Sequence, residues 1–303
     1  MTKIIFSRKG FDSSTGGMPS IKRGGNLISF PIPSNKNTLT TYNHLGLGKD
    51  IKELSNGKIS PTDTCHFDPN LNYGEFGQVG AAQTHLENND VNIGDLFLFW
   101  GWFRETVTID KKTVFSKEDP GHYRFFGWLQ IGEIVRLGKD PSWYLKTKPN
   151  SMSHPHTIGY WKVNNTLYLA SEKLSIFGIG SYYGFGRFNA SDKTNLSLNP
   201  SIKKSIWKCP KWLNPVHGGC GMTYHKDKKR WEKDSVNVVG RGQEFIAKPK
   251  KIEDCKKWLK NIFKDAKTID EVQEAKKLAN QINKEALRRA YLNKDQWIKE
   301  TFN

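Results

Sequence analysis

The chain has 303 residues, with 47 Lys and Arg against 30 Asp and Glu, for a formal net charge of +17. Ten Trp, ten Tyr and seventeen Phe exclude a disordered polyelectrolyte, a class poor in aromatic residues. No apolar run reaches the ~18 residues of a membrane span, and the opening Met-Thr-Lys-Ile-Ile-Phe-Ser-Arg-Lys-Gly lacks a signal-peptide core, so a cytoplasmic protein with no membrane contact is expected.

A balance this basic attracts polyanions, and nucleic acid is the commonest of them because binding releases condensed counterions. A lysine-rich solvated surface is the competing explanation. The four cysteines, Cys65, Cys209, Cys220 and Cys255, contain no C-x-x-C pair, and a chain of this length has no need of disulfide staples.

In chain order, short apolar runs bounded by Gly, Pro, Asn and Asp predict strands at 3–7, 27–31, 95–102, 124–135, 166–169 and 244–247. One early helix is predicted at 77–88, where Val79, Ala82 and Leu86 share a face. After Pro249 the composition turns Lys- and Ala-rich. Helical spacing of Ile252, Trp258, Leu259, Ile262 and Phe263 precedes a second helix at 269–292. The expected organisation is therefore α+β: a β-rich body over 1–248 and a basic α-helical extension over 249–303.

The first segment with chemical potential is the loop after the first strand, Phe6-Ser-Arg-Lys-Gly-Phe-Asp-Ser-Ser-Thr-Gly-Gly-Met-Pro-Ser20. Ser7, Arg8, Lys9 and Ser13 offer hydroxyls and two cations to a phosphate, beside the backbone N–H groups of the loop. Asp12 either holds those cations or acts as a base; an ordinary basic turn is the alternative. Next come Cys65-His-Phe-Asp-Pro69 and Phe76-Gly-Gln-Val-Gly-Ala-Ala-Gln83. His66 and Asp68 suit an oriented base or an Asx-type turn. Gln78 and Gln83 can read amide-like edges of a nucleotide.

Ile93-Gly-Asp-Leu-Phe-Leu-Phe-Trp-Gly-Trp-Phe103 and Phe125-Phe-Gly-Trp-Leu-Gln-Ile-Gly-Glu-Ile-Val135 follow. Trp100, Trp102 and Trp128 offer either stacking surfaces for a base, with Gln130 reading its edge, or core packing. His154 and His156, separated by one proline, and His225 suit acid–base work or base-edge hydrogen bonds, or are plain loop histidines. None has zincin spacing, so no metal ligand is assigned, and no cofactor is identified.

The Gly-Asp strand and the strand ending Gly-Glu-Ile-Val resemble the strand pair of PUA, ASCH and EVE barrels, which hold RNA or flipped modified bases. Over a longer span the chain resembles the third type of nucleotide modification associated domain. That family pairs F-S-R-K-G-F-D-S-S-x-G-G-x-P-S with F-G-Q-V-G-A-A-Q, G-D-L-F-L-F-x-G-W-F, G-W-L-Q-I-G-E-I and H-P-H, all in the order found between residues 3 and 246. Tyr224-His225, Arg230-Trp231 and the run from Arg241 to Phe245 extend the likeness. Met18 departs from the expected Cys or smaller residue. The resemblance implies a role in modifying nucleotides or DNA bases, in a phage or defence setting. It leaves two readings open: an enzyme acting on a base or nucleotide, and a non-catalytic reader that holds a modified base. The implied partner is nucleic acid, DNA before RNA, or a free nucleotide.

Overall fold

The computed structural model describes residues 2–147, 154–240 and 242–266; the expected helix at 269–292, Ser153 and Arg241 lie outside them. In chain order the elements are β1 (Ile4–Arg8), β2 (Ser20–Arg23), β3 (Asn26–Ile28), β4 (Ile32–Pro33), α1 (Gly48–Leu54), β5 (Cys65–His66), β6 (Glu75–Gln78), α2 (Gly80–Asn88), β7 (Leu96–Ile109), β8 (Lys112–Phe115), β9 (His122–Arg136), α3 (Ser142–Thr147), β10 (Thr166–Ala170), β11 (Phe185–Arg187), β12 (Ile206–Lys208), β13 (Ser235–Asn237), β14 (Glu244–Ala247) and α4 (Ile252–Phe263). The fold is α+β, and no helix among the described residues is long and apolar enough to cross a membrane.

The main sheet runs β14-β1-β7-β9-β10-β6. β1 pairs parallel with β7, whereas β7 with β9, β9 with β10 and β10 with β6 pair antiparallel. Alternation along β7 explains why the sheet is covered on both faces. Leu96, Leu98 and Trp100 join one apolar cluster, and Phe97, Phe99 and Phe103 join another. Side chains that alternate across a pleated strand have no other way to be buried together. The β7–β9 register slips between Phe99 and Trp100, the local irregularity by which a long strand pair gains twist. The two strands of the barrel-like signature thus lie side by side in a curled, open sheet. Its terminal strands, β14 and β6, meet through side chains: Gln78 Nε2 donates to Glu244 Oε1 over 2.7 Å.

The aspartate of the Gly-Asp turn has a structural task. Asp95 Oδ1 accepts from the Lys3 backbone N–H at 2.7 Å and Oδ2 from that of Asn92 at 2.9 Å, fixing the start of β1 against the start of β7.

Three expectations change. The strand at 27–31 is interrupted, because Pro31 has no N–H to donate to a ladder, leaving β3 and β4 as separate pieces. The helix at 77–88 begins at Gly80; Gly77 and Gln78 instead end β6, where pairing with β10 outweighs their position in an amphipathic pattern. The body also extends past Pro249. Residues 1–266 form one compact unit, and Cys255, Leu259, Ile262 and Phe263 of α4 are buried in the cluster that holds Ile4, Trp100 and Trp128. A separate cluster of Phe11, Met18, Ile21, Phe30, Tyr42, Ile51, Leu54 and Cys65 supports the N-terminal loops, so Met18 is a core residue.

Candidate functional site

A cavity of about 400 Å³ opens where β1, β5 and β6 converge, within the usual range of small-molecule sites. Arg8, Lys9, Asp12, His66, Asp68, Gln78 and His156 all line it, together with Ser14, Gly77, Trp161 and Gln243. Residues from six separate stretches of sequence therefore line one cavity.

The cationic side is built on β1. Ser7 lies opposite Glu244 in the β1–β14 register, and Ser7 Oγ donates to Glu244 Oε1 at 3.1 Å. Lys9, two residues on, reaches the same oxygen at 3.1 Å, and its ammonium sits 4.4 Å from the centroid of Phe76. Glu244 Oε1 thus accepts from Ser7, Lys9 and Gln78, while Oε2 is buried with no hydrogen-bond partner among the described residues. Ser7 is fully buried and engaged, so it sets the position of Glu244 behind the wall of the cavity.

Arg8 is freer. Its Nη1 lies 3.7 Å from Asp12 Oδ2, with both side chains partly exposed. Asp12 Oδ1 accepts from the N–H groups of Ser14 and Thr15 and from Ser14 Oγ, at 2.8, 2.7 and 2.7 Å. Burial opposes ionisation of Asp12, but these donors and Arg8 outweigh it and hold the carboxyl below its ordinary value. A carboxylate this well supplied with donors organises the loop and is a weak base.

A second part of the lining is a cluster of imidazoles around Asp68. His66 reaches it because β5 pairs with β4, and His156 because a short 3₁₀ turn at Pro155–Thr157 packs beside β6. Asp68 Oδ1 accepts from the Gly77 N–H at 2.9 Å and pairs with His154 Nε2 at 3.2 Å. His154 Nδ1 accepts from the His156 N–H at 3.3 Å, so its Nε2 carries the proton given to Asp68. Burial resists the charge of Asp68, yet the His154 hydrogen bond and the neighbouring imidazoles keep it ionised well below the usual carboxylate range.

His156 is fixed on two sides. Trp161 stacks on its ring at 4.3 Å with an 11° tilt, and Nδ1 lies 2.7 Å from Asn165 Oδ1. Asn165 Nδ2 donates to the His156 carbonyl at 2.9 Å, which settles the amide orientation. Nδ1 must then be the protonated nitrogen and Nε2 the free lone pair. Burial lowers its pKa to about 3, so the ring is neutral at physiological pH. Gly77 is required here: a Cβ at that position would overlap the His156 ring. Burial likewise lowers the pKa of His66, against a partial opposing pull from Asp68.

Several residues singled out in the sequence lie elsewhere. Gln83 is buried, accepting from Tyr168 Oη and donating to Glu87, and its amide is spent on packing. Ser13 is exposed and does not line the cavity. Trp100 and Trp128 are 2% and 1% exposed and sit among core rings; Trp100 packs on Trp207 and Phe245, and Trp128 on Phe188 and Phe263. Neither has a free face for a base, because β7 and β9 are covered on both sides. Trp102 is half-buried, with Lys204 Nζ 4.2 Å above its ring. Gln130 is buried and spends its amide on the Gly94 carbonyl, to which Nε2 donates, and on the Ser175 N–H, from which Oε1 accepts. His225 uses both ring nitrogens, on the Thr223 carbonyl and the Val239 N–H, and lies beside a different, lysine-rim cavity. Conversely, Glu244, Trp161 and Asn165 escaped assignment. A charged residue inside the apolar run at 244–247 was the one visible sign of a buried carboxylate.

No curated protein and no solved structure matches the chain. The family model for nucleotide modification associated domain 3 matches residues 3–248, a span that includes every residue of the cavity wall. The chain belongs to the nucleotide modification associated domain 3 family.

Proposed function

We propose that this protein is an enzyme that modifies a nucleotide unit, either free or within a nucleic acid, in the cavity bounded by Arg8, Lys9, His66, Asp68 and His156. The supporting observation is the juxtaposition of two chemistries in one small cavity. A cationic wall suits a phosphate, and a wall of neutral imidazoles with a held carboxylate suits proton transfer. Arg8 is the phosphate ligand best placed to move, since its ion pair among the described residues is the long one to Asp12. His66 and His156, each neutral with an open nitrogen, are the acid–base candidates, and Asp68 and His154 position them. The family description, nucleotide modification associated domain 3, supports this reading, and among polymers we favour DNA. The +17 charge would bring a polyanion to the surface at a rate that falls with salt.

The test is mass spectrometry of nucleosides from DNA, RNA and the soluble pool of cells that carry the native protein, Arg8→Ala, His66→Ala or no protein. A nucleoside species present with the native chain and lost in both variants is expected. Identical nucleoside profiles in all four would overturn the enzymatic reading. Preferential binding of modified DNA by the native protein, without any change in nucleosides, would replace it with that of a reader.

A further inference from the structure

The geometry points to a divalent first-row transition-metal site formed by His66, Asp68 and His156. It deepens the reading of this cavity as an active site and rests on that reading only for its chemical use.

One ligand atom from each of the three residues lies within 4.8 Å of the other two. Side-chain shifts of about 1 Å or less would bring all three to the ~2.0–2.2 Å of metal–nitrogen and metal–oxygen bonds. Two imidazoles and one carboxylate suit Zn²⁺, Fe²⁺, Co²⁺ or Mn²⁺ rather than Mg²⁺ or Ca²⁺, which take oxygen-rich sets.

The orientation of each group argues for a ligand set over a chance cluster. His156 gives its Nδ1 proton to Asn165 Oδ1, and this leaves the Nε2 lone pair free. A histidine anchored through one nitrogen by a hydrogen-bond acceptor is the usual arrangement of a metal-bound imidazole. Asp68 has Oδ1 occupied by Gly77 and His154, and no hydrogen bond reaches Oδ2 among the described residues. His66 has no ring-nitrogen hydrogen bond among the described residues, and its ring stands edge-on to His156 at 5.2 Å. His154 is fully buried and is a positioning residue: it turns the carboxylate without itself offering a nitrogen, since both of its nitrogens are used. The three ligands line the same cavity as Lys9 and Arg8. An ion there would act as a Lewis acid toward a ligand oxygen held by those cations.

The test is titration of the full, chelator-stripped chain with Co²⁺ and Zn²⁺, read by isothermal calorimetry, by metal content after desalting and by the visible Co²⁺ spectrum. One equivalent per chain is expected, with the visible bands of nitrogen and oxygen ligation and no thiolate charge-transfer band. His66→Ala and His156→Ala should each weaken binding by at least ~100-fold, and His154→Gln by roughly 10–100-fold. His225→Ala serves as the control and should leave binding unchanged. Circular dichroism identifies any variant that fails to fold, and the half-buried His66 is the substitution best tolerated. Absence of saturable binding, a thiolate spectrum, or binding indifferent to both His66→Ala and His156→Ala would overturn the site. Because metal binding is read without turnover, a chain that alters nucleosides yet binds no metal removes this inference alone. A chain that binds metal yet alters no nucleoside removes the enzymatic reading alone.

Discussion

Gln78 Nε2 and Glu244 Oε1 lie 2.7 Å apart and join the two strands at opposite ends of the main sheet. The same oxygen accepts from Ser7 and Lys9, so one carboxylate ties β1, β6 and β14 together directly behind the cavity. The wall of the site and the contact between the terminal strands of the sheet therefore share a single buried carboxylate.

Removing that charge leaves the Lys9 ammonium, whose side chain is only 10% exposed, without its counterion. Breaking a buried pair from one side costs about 3–5 kcal/mol. Glu244→Ala should lower stability by that order, and Glu244→Gln by less, because an amide oxygen still accepts from at least one donor. Urea unfolding measures both. Equal, near-zero losses would mean that the ends of the sheet are held by backbone and apolar packing alone.

Trp100 separates packing from recognition. With 2% of its surface exposed among Trp207, Tyr123 and Phe245, Trp100→Ala should cost roughly 3–5 kcal/mol through cavity formation. Nucleotide affinity, measured on the fraction that remains folded, should not change. A selective loss of affinity with stability preserved would return Trp100 to the binding surface.

His225 links stability to pH away from the cavity. Its Nδ1 donates to the Thr223 carbonyl at 2.8 Å and its Nε2 accepts from the Val239 N–H at 3.1 Å, an arrangement open only to the neutral ring. Burial lowers its pKa below the ordinary 6.5. A depressed folded value means that the contribution is complete above 6.5 and is lost as pH falls through the lowered folded value. The native chain should thus lose stability on acidification from pH ~7 toward ~5, and His225→Gln should show a shallower slope over that window. Thermal melting at several pH values gives both slopes; parallel slopes would assign the acid sensitivity to other buried groups.

Local pattern accounts for the strands at 3–7, 124–135, 166–169 and 244–247, for the apolar stripe of α4 and for the polar loop after β1. Each is a property of neighbouring residues: alternation, helical spacing, or a density of Ser, Gly, Arg and Lys. The same local reading placed Arg8, Lys9, Asp12, His66, Asp68, Gln78 and His156 among candidate site residues, and these line one cavity. It did not separate them from Gln83, Trp100, Trp128, Gln130 and His225, which have equally suggestive chemistry and are consumed by packing.

That separation requires the pairings that bring distant chain segments together. Whether an indole stacks on a ligand or fills a core depends on what covers the far side of β7 and β9, and α4 and the segment around Trp207 provide that cover from distant parts of the chain. Likewise, His66 and Asp68 become two-thirds of a ligand set only when the β6–β10 pairing brings Asn165, and with it His156, against Gly77. Residue type specifies which bonds a side chain can form; burial and the partners supplied by distant segments specify which of those bonds remain free. Arg8 and the loop around it, first marked by their density of cations and hydroxyls, acquire a chemical context from that fold: a cavity that they line together with His66, Asp68 and His156.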